Sequence, residues 1–292
     1  MATIGHQKQW QYLKQSAQND VLAQAYLFHG PSQVGKKKIA LELCDWIGVN
    51  YTNLKIIEPK ADRETQRPKI AVEEIKELKN HFSLSVAGKD YKIAVIDNAQ
   101  TMTRDAQSAM LKLLEEPRGK SLIILIAQSP DQLLETIVSR CQLVRFNILS
   151  KDVLSSYLEK QNLKEEEKRM ALWLSFGKPG RMINYLEQKE VNEFQKKSLY
   201  QIKELVRAPL FERFKTAKQL AENRTDISMV LEVWLHYFRE ILLKKVNKEK
   251  LSKDYSFEQL KEIIDGIERT EYVLNNSNAN LRLALEFLLL KI

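Results

Sequence analysis

Five short apolar runs punctuate the first half of the chain, at residues 25–29, 53–57, 92–97, 122–127 and 142–146. Each is too short and too continuous for an amphipathic helix, so each predicts a buried strand. Between them the apolar period changes. Val72, Ile75, Leu78 and Phe82 recur at helical spacing, and Met110, Leu111 and Leu114 do so after Thr103, a side chain suited to cap a helix. Strands and helices in alternation predict an α/β domain whose parallel sheet is covered on both faces, with ligand loops at the carboxyl ends of its strands. After residue 147 only helical patterns remain. Three short helices are expected from Ser150 to about Glu187, the last opened by Gly177-Lys178-Pro179-Gly180-Arg181. About five more are expected from about Val191 to Ile292, with breaks near 208–209, 223–226, 247–254 and 275–280. The chain therefore divides into 1–147, 148–188 and 189–292. Residues 281–290 are apolar on nearly every side, as a core helix would be, or one that partly meets a neighbouring subunit.

Composition sharpens that boundary. Eight of nine glycines and six of seven prolines lie at or before position 180, leaving the rest of the 292 residues to uninterrupted helices. Cys44 and Cys141 are the only cysteines, too few for a disulfide framework or a four-cysteine zinc site. The longest apolar run, 122–127, is far below the ~20 residues of a bilayer span, and the N-terminus lacks the apolar core of a signal peptide. A reduced, cytoplasmic protein with no membrane partner is expected. The net charge of +8 is spread over the three regions as +4, +1 and +3. So even a distribution does not describe a DNA-binding tail.

Chemistry concentrates after the first strand. Gly30-Pro31-Ser32-Gln33-Val34-Gly35-Lys36-Lys37 has the spacing of a phosphate-binding loop, whose backbone N–H groups, lysine and following helix converge on phosphate oxygens. The place of the metal-binding hydroxyl, however, holds Lys37, whose ammonium offers no lone pair. The strand at 92–97 ends in Asp97-Asn98. Asp97 either belongs to a magnesium shell or caps a turn, and Asn98 stands where a glutamate would orient the attacking water. These two losses strike different parts of one reaction, which points to a phosphate-binding fold that has abandoned hydrolysis. Arg140, in Thr136-Ile137-Val138-Ser139-Arg140-Cys141-Gln142, sits at a helix-to-strand corner. From there an arginine can reach a neighbour's γ-phosphate, or it is a plain surface side chain; Cys141 reads as a small buried apolar group.

In order, Ala25-Tyr26-Leu27-Phe28-His29-Gly30-Pro31, the loop, the strand 92–97, Ala109-Met110-Leu111-Lys112-Leu113-Leu114-Glu115-Glu116-Pro117 and the Ser139-Arg140-Cys141 corner together resemble the bacterial DNA polymerase III clamp-loader subunits of the AAA+ family. The likeness covers residues 1 to about 187. It implies an AAA+ P-loop domain at 1–147, a helical lid at 148–188 and an all-α collar at 189–292 that joins five subunits in an open ring. It further implies a stator without ATPase activity of its own, helping the ring place a sliding clamp on primed DNA. Its partners would be motor subunits of the gamma/tau type and a clamp-opening subunit of the delta type. Carried over by position, Arg140 is an arginine finger acting in trans, with Ser139 and Cys141 as its motif. Gly30, Gly35, Lys36, Lys37, Asp97, Asn98 and the lid's Arg181 are the remains of a nucleotide site. No cofactor is expected: ATP with magnesium is disfavoured by Lys37 and Asn98, and zinc by Cys44 standing alone where relatives carry four cysteines. Two other readings stay open, an active motor ATPase of the same fold and a stand-alone basic DNA-binding protein.

Overall fold

The computed structural model describes residues 3–61, 68–83, 91–116, 120–222, 226–249, 255–277 and 279–292. Pro117, and parts of the predicted breaks at 223–226, 247–254 and 275–280, lie outside them. In chain order the first elements are α1 (Gln7–Gln18), β1 (Ala25–His29), α2 (Lys36–Ile47), β2 (Leu54–Ile57), β3 (Lys60–Ala61), β4 (Pro68–Lys69), α3 (Val72–Ser83), β5 (Lys92–Ile96) and α4 (Arg104–Glu115). There follow β6 (Ser121–Ala127), α5 (Glu135–Val138), β7 (Gln142–Arg145), α6 (Lys151–Glu159), α7 (Glu165–Ser175), α8 (Pro179–Glu187), α9 (Lys189–Leu205), α10 (Leu210–Glu222), α11 (Ile227–Val246), α12 (Phe257–Asn276) and α13 (Leu281–Leu289). The chain forms two compact units, residues 1–182 and 183–292.

In the first unit, among the described residues, five strands form one sheet in the order β2-β5-β6-β1-β7, every pair parallel. The short antiparallel pair β3-β4 stands apart from it. All seven residues of β6 are buried, so both faces of the sheet must be covered. Alternate side chains divide accordingly. Tyr26, Phe28, Ile93, Val95, Leu122, Ile124 and Ile126 point to the face that α1 and α2 close with Leu13, Ile39 and Leu43. Leu27, Ala94, Ile96, Ile123 and Leu125 point to the other, against Ile75 and Leu78 of α3 and Met110 and Leu113 of α4. The five predicted strands are present, but the expectation that each is buried fails at the edges. β7 is buried only at Val144, and Ile56 of β2 is exposed, because an edge strand has a neighbour on one side alone. Thr103 caps α4 as expected, its hydroxyl accepting from Ala106 N at 3.2 Å.

The second unit is all helix in its described residues. α11 carries the largest buried face, with Trp234 and Phe238 fully enclosed and the Trp234 indole donating to the Ser198 carbonyl at 3.3 Å. It packs on α9 and α12, while α10 packs on α13. Arg213 of α10 donates to the carbonyls of Leu205, Ala208 and Leu289, acceptors at or just past helix ends. Leu285, Leu288 and Leu289 of α13 are buried, whereas Leu283 and Phe287 are exposed, so that segment is a core helix on one face only.

Gly30 shows how tightly the strand ends are drawn together. Its N–H donates to the Gln128 carbonyl at 3.0 Å, its φ is +139°, and a Cβ there would lie 1.9 Å from the Phe146 carbonyl oxygen. Gly30→Ala is therefore expected to cost more than about 2 kcal/mol, or to abolish folding, in urea denaturation. A loss of less than about 0.5 kcal/mol would show that the strand ends can part without penalty.

Candidate functional site

The loops leaving the carboxyl ends of β1, β5 and β6 meet at a cavity of about 710 Å³, lined among others by Gln33, Lys36, Lys37, Asp97, Asn98 and Gln128. The Gly30–Lys36 loop is held from two sides. His6, buried just before α1, bonds the Val34 carbonyl at 3.0 Å and sets its ring edge on Phe146. Gly180 of α8 donates its N–H to the Gln33 carbonyl at 2.8 Å, an approach so close that a Cβ would sit 2.9 Å from that oxygen. Gly35 stands at the start of α2 and lines the cavity. Gly30 does not, so its requirement comes from strand packing and not from contact with a ligand.

Lys36 is only 7 % exposed. Its ammonium donates to the carbonyls of Gly30 and Pro31 at 2.5 and 2.6 Å, so the loop's own backbone takes the charge. Burial pulls its pKa down to about 8, partly opposed by the Asp97 carboxylate. Lys37 points the other way, hydrogen-bonding Glu58, just past β2, and lying 3.7 Å from the Asp97 carboxylate. The other Asp97 oxygen accepts the Asn98 N–H at 2.9 Å. A divalent cation does not fit this donor set: a cation already lies beside the acidic groups, and no hydroxyl follows Lys36. Asn98 is in the left-handed region at φ +50°, which asparagine tolerates better than glutamate does. Its side-chain oxygen accepts from Gln100 at 3.2 Å. That position is thus shaped by the turn as well as lacking a base.

Arg181 lies elsewhere. It is 6 % exposed, and its guanidinium stacks 4.0 Å from the centre of the Phe176 ring instead of lining the cavity. Arg140 is also outside the cavity, on the turn between α5 and β7. Its guanidinium pairs with Glu115 at 2.7 Å and donates to the Thr136 carbonyl at 3.0 Å. Ser139 donates to that same carbonyl at 3.1 Å. Cys141 packs on the sheet's core, and burial pushes its thiol up to about 12, so it is an apolar wedge and not a nucleophile. The fold thus gathers Gly35, Lys36, Lys37, Asp97 and Asn98 and leaves Gly30, Arg140 and Arg181 apart. Glu58, His6 and the pairing of Glu115 escaped the sequence reading. Glu58 carried one signal, since like Asp97 it follows the end of an apolar parallel strand.

Two substitutions test this geometry. The folded pKa of Lys36 lies below the ordinary 10.5, so between pH 8 and 10.5 the unfolded chain holds this proton more firmly and rising pH favours the native state through this group. Wild type should therefore gain stability relative to Lys36→Met across that window in chemical denaturation; a pH-independent difference would refute the buried, depressed ammonium. Asn98→Glu should cost about 1 kcal/mol from its left-handed backbone, and the same melts would contradict the strain if they showed no loss.

Comparison with known proteins finds likenesses over part of the chain. A family profile described as DNA polymerase III, delta subunit, matches residues 46–150. The DNA polymerase III subunit delta′ of Bacillus subtilis is 29% identical over 178 residues, 54% of this chain and 52% of that protein. A replication factor C small subunit of Staphylothermus marinus is 34% identical over 170 residues, 55% of this chain and 50% of that one. The chain thus spans about half the length of the curated relatives it matches. A DNA polymerase III gamma subunit-related protein of Thermotoga maritima shares the fold, with a TM-score of 0.56 and 20% identity over 97% of both chains. The family profile and the relatives liken part of the chain to subunits of DNA polymerase III and replication factor C, and the gamma subunit-related protein shares its fold.

Proposed function

We propose that this chain is a delta-prime-like stator of a bacterial clamp loader, a subunit that turns over no ATP itself and lends Arg140 to the ATP of a neighbouring motor subunit. The observation that carries this reading is the Lys37–Asp97 approach. The strand-end aspartate that a motor needs for magnesium faces an ammonium, and Asn98 beside it is no base. Glu115 supports the role of Arg140. This pair is exposed, with 38 % of the arginine and 49 % of the glutamate side chain accessible, so it is worth at most about 1 kcal/mol. A γ-phosphate across a subunit boundary would displace so weak a partner readily. The motor and clamp-opening subunits, the sliding clamp and primed DNA are the partners this reading requires. Against an active motor stand Lys37 and Asn98; against a free-standing DNA-binding protein stands the evenly spread charge.

The test is reconstitution with motor and clamp-opening subunits, clamp and primed DNA. Arg140→Ala should leave assembly intact and lower the turnover at the one motor site it serves by about 10³-fold or more, the worth of an arginine finger. An unchanged DNA-stimulated rate in the assembled mutant would remove Arg140 from the mechanism. The isolated chain should hydrolyse no ATP above background, and turnover abolished by Lys36→Ala would establish a motor instead.

A further inference from the structure

The cavity in the first unit carries a cation of its own. Lys37 leaves the first turn of α2 and reaches the ends of two strands at once, hydrogen-bonding Glu58 after β2 and approaching Asp97 after β5 to 3.7 Å. In a metal-using phosphate site this residue would carry a hydroxyl, and a hydroxyl and a strand-end aspartate would share a magnesium ion. Here the ammonium stands beside the same aspartate. Partial burial lowers the affinity of Lys37 for its proton, but Glu58 and Asp97 outweigh burial and raise it above the ordinary lysine value, so the charge is held throughout the neutral range.

We propose that the Lys37 ammonium, held between Glu58 and Asp97, takes the place of the divalent cation in this pocket, so that the site excludes Mg²⁺. The proposal rests on reading the cavity as the pocket of a former ATPase and not on the role given to Arg140. It also gives Glu58 a part that a metal site would not need, since without it Lys37 would lose its hydrogen-bonded anchor and be free to swing into solvent. Replacing Lys37 by threonine would set a hydroxyl beside two released carboxylates, a set of oxygen donors that suits a hard cation.

Mn²⁺ titration of the full chain, followed by electron paramagnetic resonance, tests it with and without ADP. Wild type should take up no Mn²⁺ that Asp97→Asn abolishes. Lys37→Thr, checked for folding by circular dichroism, should acquire one saturable Mn²⁺ site absent from wild type, and Lys37→Thr combined with Asp97→Asn should lose it. Mn²⁺ bound by wild type and lost on Asp97→Asn would overturn the proposal, and so would a folded Lys37→Thr that gains no site. Where threonine prevents folding, Lys37→Ser is read in the same way. ATP turnover by the isolated chain would sink the stator reading without deciding the Mn²⁺ result, so the two failures are distinguishable.

Discussion

Burial of β6 on both faces is the constraint from which the first unit follows. With all seven of its residues enclosed, the strand needs neighbours on both edges and helices above and below. Parallel pairing obliges each connection to cross over the sheet. The loops after β1, β5 and β6 are thereby delivered to one edge, where α2 begins. The same crowding sets the loop's limits. Gly30 is needed because the Phe146 backbone passes where a side chain would be, and Gly180 because α8 rests on the Gln33 carbonyl.

Charges at that edge are paid for locally. Lys36 is satisfied by two backbone carbonyls and Lys37 by two carboxylates, so both cations of the loop have partners within the chain. The second of these pairings holds the surrounding loops together, since Lys37 links α2 to the ends of β2 and β5. At the α5–β7 corner the contrast is in exposure. Among the described residues, Arg140 is held at the surface by Glu115 and the Thr136 carbonyl.

Much of the fold was legible because its signals are local. Continuous apolar runs located all five strands of the sheet, Thr103 located the start of α4, and the dearth of glycine and proline after position 180 located the helical region. The misreadings arose where a neighbour decides. A run of apolar residues looks the same at the centre and at the edge of a sheet, so the exposure of β7 was invisible. The burial of Arg181 against Phe176 is likewise invisible in the chain, because packing alone brings the two side chains together. Glu115 was quoted within a motif, but its pairing with Arg140 joins residues brought together only when α4 and α5 pack.

The sequence by itself determined the alternation of strand and helix, the place of the phosphate-type loop and the two residue types that speak against hydrolysis, Lys37 and Asn98. These follow from periodicity and from the chemistry of single side chains, which do not depend on what lies opposite. Tertiary structure decided where the charges are spent: Lys36 on its own loop, Lys37 on Glu58 and Asp97, Arg140 on Glu115. Ion pairing falls off steeply with distance and dehydration, so which of the chain's 38 carboxylates meets which of its 46 basic groups is settled only by packing.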